Sequence, residues 1–153
     1  MSLRPFVILI ALYTLAGAAV AQERQWSLNA SDQDAYLIFG VADSDDVGIS
    51  LWCPIRQGTV IIFVPEPAES LPADQEVTVT LLAGDKTAEV KGKTEVNEDA
   101  GVSSVEANIA ADDPFFDAVL KSDRLRVKVG KEESVFPLVE ADVAGLLALC
   151  RKN

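Results

Sequence analysis

The residues of this chain that could take part in catalysis or bind a metal are two cysteines and many carboxylates. The sequence contains no histidine. Ser-His-Asp triads, Cys-His pairs and histidine-ligated metal sites are therefore excluded. The sequence also lacks the G-x-S-x-G, S-x-x-K, C-x-x-C, P-loop and G-x-G-x-x-G motifs. What remains is carboxylate chemistry, such as the paired acids of a glycoside hydrolase.

The densest group of carboxylates is the segment D-S-D-D, which contains Asp43, Asp45 and Asp46. Aspartate and serine are common turn residues, so this segment favours a solvated turn between two strands. A calcium site is the alternative, but D-S-D-D-V-G does not have the spacing of an EF-hand loop. A second pair, Asp112 and Asp113, stands before a proline and is typical of a helix start. We therefore expect no enzymatic activity, no metal and no cofactor.

Both cysteines are placed to meet in a core. Cys53 alternates with polar neighbours on one strand face, together with Ile49 and Leu51. A C-terminal helix, from about residue 140 to 151, carries apolar residues at i, i+3, i+4 and i+7, namely Val143, Leu146, Leu147 and Cys150. An even cysteine count in an exported chain predicts a disulfide, here between Cys53 and Cys150. Two unpaired buried thiols are the alternative.

The N-terminal residues have the three-part layout of a secretory signal peptide. Arg4 precedes an apolar run at residues 6–20, and Ala19-Val20-Ala21 places small residues before Gln22. This run is shorter than the stretch of about 20 residues that spans a membrane. We therefore expect a cleaved signal peptide at residues 1–21, rather than an anchor, and a single β-rich domain at residues 22–153. The expected location is periplasmic or secreted, with no membrane insertion after cleavage.

The remaining pattern is that of an antiparallel β protein. The run at 35–41 is continuously apolar, and the run at 59–64 is apolar throughout, as in a strand covered on both faces. Residues 124–129 alternate between charged and apolar side chains, as in a strand with one solvated face. About 7–9 such strands predict a mainly β domain, either an antiparallel β-sandwich or a partly open barrel, with two short helices. The last helix is expected to be disulfide-linked to the sheet.

Trp52 is the other residue that could bind a partner. Because Cys53 faces the core, Trp52 lies on the opposite face of its strand, where an exposed tryptophan could anchor a protein. The alternative, which we favour, is that a helix or a second sheet covers this face.

The charge of the chain restricts its partners. Without residues 1–21 the chain keeps 12 basic and 24 acidic residues, a net charge of −12. Such a charge disfavours nucleic acid and anionic membranes as partners and favours a cationic protein, although surface acidity also serves solubility. The sequence thus predicts a non-catalytic binding protein of unknown partner, such as an inhibitor of a basic enzyme of the lysozyme kind. The second class of function that stays open is a carboxylate-dependent hydrolase acting on cell-wall glycans.

The order of these motifs resembles a group of known proteins. The chain contains, in this order, W-S-L, A-Y-L-I-F-G-V with an acidic turn, a strand ending in Cys53, D-D-P-F-F-D-A-V-L and a final helix ending in Cys150. This order resembles small exported alphaproteobacterial proteins of unknown function and is distantly similar to the invasion-associated locus B family of periplasmic β proteins. The resemblance implies a periplasmic location and assigns no catalytic residues.

Overall fold

A computed structural model describes residues 23–65, 67, 71–97 and 102–152. The predicted signal peptide at residues 1–21 lies outside the described residues. In the part of the chain that is described, no helix has both the length and the apolar character needed to cross a bilayer.

Nine strands and two helices make up the described part of the chain. The strands are β1 (Gln25–Ala30), β2 (Asp34–Gly40), β3 (Val47–Pro54), β4 (Thr59–Val64), β5 (Glu76–Ala83), β6 (Lys86–Asn97), β7 (Val102–Ala110), β8 (Arg124–Val129) and β9 (Glu132–Pro137). The helices are α1 (Phe115–Val119), between β7 and β8, and α2 (Val143–Cys150), after β9.

All nine strands form one antiparallel sheet in the order β1-β2-β3-β4-β7-β6-β5-β8-β9. Most strands that are consecutive in the chain are neighbours in the sheet. The exceptions are β4 and β5, which are separated by β7 and β6, and β7 and β8, which are separated by β6 and β5. The sheet is curled into a half-barrel. The predicted mainly β fold with two short helices is therefore confirmed, in its partly open barrel form.

The concave side of the half-barrel holds the hydrophobic core. In each strand every second side chain points inward, and both helices add their apolar residues to the same cluster. Helix α2 packs against β2, β3 and β4 and buries Val143, Leu146, Leu147 and Cys150. Full burial of a Val or Leu side chain stabilises by about 1.5–3 kcal/mol. This stripe therefore holds a helix that is too short to be stable alone.

The predicted disulfide between Cys53 of β3 and Cys150 of α2 is present, with the two Cα atoms 5.7 Å apart. Main-chain hydrogen bonds hold the same end of the helix. The Arg56 N–H donates to the Leu149 carbonyl at 2.9 Å, and the Gly58 N–H donates to the Cys150 carbonyl at 2.8 Å. The C-terminal end of α2 is thus fixed to β3 by one covalent bond and to the β3–β4 turn by two hydrogen bonds. A disulfide of this kind is typical of oxidising compartments.

An aspartate carboxylate accepts a main-chain hydrogen bond at the start of each helix. Before α1, the carboxylate of Asp113 accepts a hydrogen bond from the Phe115 N–H at 2.8 Å, in agreement with the predicted helix start. Helix α2 begins at Val143, later than the expected residue 140, because Asp142 is its N-cap. The Asp142 carboxylate accepts a hydrogen bond from the Gly145 N–H at 2.8 Å.

An aromatic cluster closes one end of the gap between the two edge strands, β1 and β9. The indole N–H of Trp26 donates to the carbonyl oxygen of Pro137. The Trp26 ring lies 5.2 Å from the Phe39 ring, which in turn lies 6.0 Å from the Phe136 ring. Gly48 lies against this cluster, since a Cβ atom there would be in van der Waals contact, at 3.4 Å, with both phenylalanine rings. Side chains, and not main-chain pairing, therefore join the edges of the half-barrel.

Candidate binding surface

Trp52 lies on the convex face of the sheet, opposite Cys53. It is half-buried, and its ring stacks on that of Tyr36, the cross-strand neighbour on β2, with 5.6 Å between ring centroids and 15° between ring planes. Offset stacking of this kind holds both rings in place at little entropic cost when a partner binds. The pair forms a rigid aromatic plate on the outside of the half-barrel.

Aliphatic and aromatic side chains extend this plate across three strands. The outward positions next to Trp52 and Tyr36 are occupied by half-buried apolar side chains around the buried Ser50. Cross-strand pairing places Ile61 beside Trp52, and places Ile38 and Phe63 on either side of Ser50. We call this surface the outer patch, and define it as Tyr36, Ile38, Trp52, Ile61 and Phe63.

The outer patch explains the unbroken apolar runs of β2 and β4. The run at 59–64 was expected to be covered on both faces, and the described residues bury one face fully and the other in part. Val60, Ile62 and Val64 are fully buried, whereas Ile61 and Phe63 are partly buried. The helices do not cover these residues, because α1 and α2 bury their apolar side chains in the core on the concave side. The expected helix over the Trp52 face lies instead on the Cys53 face.

Charges at the margin of the outer patch are mostly acidic. Strands β2, β3 and β4 contain one charged residue, Asp34, which lies on the same face as Tyr36. Glu106 of β7 is the cross-strand neighbour of Phe63 and faces Lys93 of β6. Partial burial, and secondarily the nearby Glu95 carboxylate, raise the pKa of Glu106. A cationic group over this margin would therefore find acidic partners on two sides.

The acidic turn, which contains Asp43, Asp45 and Asp46, connects the end of β2 to the start of β3. It has the hydrogen bonds of an ordinary turn. Asp46 is paired with Arg24, and the Asp46 N–H donates to the Ser44 hydroxyl at 3.1 Å. Asp43 is in the left-handed region with φ of 56°, a conformation that aspartate tolerates. Asp45 contributes its carbonyl oxygen to the turn by accepting from the Val47 N–H. Among the described residues, no group of three acidic, cysteine or histidine side chains is arranged to hold a metal ion.

A groove of about 450 Å³ connects the acidic turn with the outer patch. Strand β1 contributes Gln25, Ser27 and Asn29 to the wall of this groove, β2 contributes Ile38, and the turn contributes Asp43. Ile38 belongs to both the groove and the outer patch, and Asn29 is paired with Tyr36. Amide, hydroxyl and carboxylate groups therefore border the apolar surface on this side.

Four other carboxylates belong to ion pairs or to a separate cleft. Hydrogen bonds from neighbouring arginines lower the pKa of Asp123 and of Glu133, and both acids are exposed. A cleft of about 490 Å³ between the β5–β6 turn and α1 is lined by Asp85 and Asp117, together with Lys86 and other residues. In this cleft two acidic residues, Asp85 and Asp117, line the same cavity.

Sequence reasoning singled out Trp52, Asp43, Asp45 and Asp46, and the structure adds the rest of the surface. It places Trp52 in the outer patch and Asp43 in the adjoining groove, whereas Asp46 is used by Arg24. The residues that sequence reasoning missed are Tyr36, Ile38, Ile61, Phe63 and Glu106. The excess of apolar residues at outward positions of β2 and β4 was the available signal, since a single covered face needs only every second residue.

No family model, curated protein or solved structure matches this chain. The resemblance to the locus B family accordingly stays a prediction, and the surface itself is the basis for a functional proposal.

Proposed function

We propose that this chain is an exported, periplasmic or secreted, non-catalytic binding protein that engages a cationic protein through the outer patch. The stacked pair of Trp52 and Tyr36 on the convex face of the sheet, where no described helix packs, carries the proposal. Aromatic residues such as these are typical anchors of protein interfaces, where truncation of one can cost 2 kcal/mol or more. A convex surface of this kind favours a binder over a hydrolase.

Charge supports the choice of a cationic partner. The only charged residue of the three strands that form the patch is acidic, and the adjoining turn carries three acidic residues and no basic one. The net charge of −12 attracts basic proteins at long range and repels acidic ones. Complementary charge of this kind raises the association rate more than it lowers the dissociation rate.

The disulfide and the predicted signal peptide support the compartment. Disulfides form and persist in the periplasm and outside the cell. A partner would therefore be another exported protein or a protein that enters the periplasm.

A capture experiment with matched variants tests the proposal. Immobilised protein of residues 22–153 is exposed to a periplasmic extract at about 0.05 M and about 0.5 M salt, since the higher concentration screens charges beyond a few ångströms. We expect a basic protein to bind at low salt, to bind about 30-fold more weakly to Trp52→Ala, and to bind normally to Val135→Ala. Val135 is the control because it is 53% exposed on β9, away from the patch.

The acidic turn is tested separately with Asp43→Asn and Asp45→Asn together. Asp46 is left intact, because its replacement would also remove the ion pair with Arg24. We expect slower association with little change in the dissociation rate, because charges in a solvated turn steer a partner and do not hold it. A partner that binds equally well to Trp52→Ala, at both salt concentrations, would refute the proposed surface.

Hydrolysis of cell-wall glycans is the second candidate function, and the cleft beside Asp85 and Asp117 is the observation that favours it. Paired acids about 5–9 Å apart are what a glycosidase needs. Release of sugar fragments from peptidoglycan by the wild type, and its loss in Asp85→Asn or Asp117→Asn, would establish this function in place of the binding role.

A further inference from the structure

The two edges of the half-barrel differ in how they are protected from pairing with another chain. Strand β9 carries Glu132 and Glu133 at its start and Pro137 at its end, and charges and proline are residues that block edge pairing. Strand β1 (Q-W-S-L-N-A) has no charged residue and no proline, and its register with β2 is regular along its length. The Trp26 side chain links the first half of β1 to Pro137 of β9, so the second half of β1, from Ser27 to Ala30, is the less protected part of the two edges.

Two hydrogen bonds fix which main-chain groups of β1 face away from the sheet. The Ser31 N–H donates to the Asp34 carbonyl at 2.8 Å, so alternate β1 residues from Asn29 backward pair with β2. On the other side of β2, the Ile55 N–H donates to the Gln33 carbonyl at 2.7 Å. The odd-numbered residues of β2 therefore pair with β3, which leaves its even-numbered residues to pair with β1. It follows that the N–H and C=O groups of Leu28 and Ala30 point away from β2. No described strand pairs with β1 on that side.

The two sides of this edge have different chemistry. Gln25, Ser27 and Asn29 project from β1 into the groove that also contains the Asp43 carboxylate. Leu28 projects toward the concave side, where it is partly buried at the margin of the core. A strand added here would therefore place alternate side chains over a polar, acidic groove and beside an apolar margin.

We propose that β1 accepts an extended segment of the cationic partner as a tenth strand. The segment alternates basic and apolar residues, with its basic side chains over the groove and its apolar side chains beside Leu28. This inference rests on the proposed function, because it describes how the same partner is held next to the outer patch. Strand addition gives affinity through main-chain hydrogen bonds, and the side-chain alternation gives specificity.

Charge decides against a second copy of this chain as the added strand. Each copy carries a net charge of −12, so pairing of two β1 strands would bring two acidic groove margins together. A basic segment has the opposite effect, because it neutralises the acidic margin.

The first test uses a ten-residue peptide of alternating Lys and Val and measures amide hydrogen exchange of the protein by NMR. We expect the amides of Leu28 and Ala30 to gain protection of about tenfold or more when the peptide is bound. The amides of Ser27 and Asn29 should change little, since β2 already pairs with them. A peptide of the same composition with its Lys and Val residues in two blocks, and a peptide of alternating Glu and Val, are the controls.

The second test removes one outward N–H group. Ala30→Pro deletes that donor at an exposed position of an edge strand, where proline is tolerated. Ala30→Val is the matched control, because it keeps the donor. We expect Ala30→Pro to bind the Lys-Val peptide about tenfold more weakly than Ala30→Val, which should bind like the wild type.

Two results would overturn the inference. Uniform or absent protection at Leu28 and Ala30 with bound peptide would refute strand addition even if Ala30→Pro fails to fold. Protection of these amides in the free protein, with a dimeric mass, would assign the edge to self-association. If the captured basic partner depends on Trp52 but not on Ala30, strand addition fails and the proposed function stands. If it depends on neither, both fail.

Discussion

Removal of the disulfide between Cys53 and Cys150 should lower stability by an amount set mainly by the loop that it closes. The two cysteines are 97 positions apart. In the chain-entropy model, a crosslink over about 100 residues stabilises the fold by about 4.7 kcal/mol, because it restricts the unfolded chain. For a domain of this size, that corresponds to a fall in melting temperature of roughly 15 °C.

The double variant Cys53→Ala, Cys150→Ala also loses packing, because both side chains are completely buried. Reduced wild-type protein is the matched control, since it keeps both sulfur atoms and lacks only the crosslink. Thermal and urea unfolding followed by circular dichroism should show most of the loss in the reduced wild type. The double variant should lose about 1 kcal/mol more for each truncated side chain.

The docking of α2 should survive reduction at low temperature. The hydrogen bonds from Arg56 and Gly58 to the last turn of the helix remain, as does the apolar stripe of α2. Non-reducing peptide mapping should first establish the Cys53–Cys150 link in the purified protein. A reduced protein that unfolds within about 2 °C of the oxidised one would refute the loop-entropy reasoning. Free thiols in the oxidised, folded protein would refute the docking of α2 on β3.

Three further predictions concern the N-terminus, one carboxylate and the contact between Trp26 and Pro137. Mass spectrometry of protein exported by a bacterial host should find an N-terminus at Gln22, and recovery of the uncleaved chain in the membrane fraction would contradict the signal peptide. The pKa of Glu106 is higher in the folded protein than its ordinary value of 4.5. Ionisation of this carboxyl group should therefore lower the free energy of unfolding as the pH rises above 4.5. Glu106→Gln should flatten that fall in urea titrations at several pH values, and an identical pH profile in the variant would contradict it. Trp26→Phe keeps an aromatic ring at this position but removes the indole N–H and its hydrogen bond to the Pro137 carbonyl, and loss of that bond alone should cost about 0.5–1.5 kcal/mol in urea unfolding. An unchanged free energy of unfolding would show that this hydrogen bond does not stabilise the contact between the two edge strands.

Local pattern was enough to determine the main features of each element. Alternation along β3 puts Cys53 and Trp52 on opposite faces, and the i, i+3, i+4, i+7 spacing of α2 puts Cys150 on its apolar stripe. These periodicities are properties of a strand and of a helix by themselves, so they can be read without knowing any neighbour. The mainly β fold and the disulfide followed from them.

The tertiary structure alone decided which strands are neighbours and which face is covered. A continuous apolar run, such as that of β4, reads the same whether its second face lies under a helix or in solvent. Packing of both helices into the concave side left Ile61 and Phe63 outside. The strand order then placed these two residues beside Trp52 and Tyr36.

The same holds for the edges of the sheet. Nothing in the composition of β1 shows that it lies at an edge, because edge position is a property of the whole strand order. The contact between Trp26 and Pro137 joins residues 111 positions apart, and it arises only when nine strands curl far enough for the first to meet the last. Sequence periodicity thus determined the faces of the strands, and the curvature of the sheet determined what those faces meet.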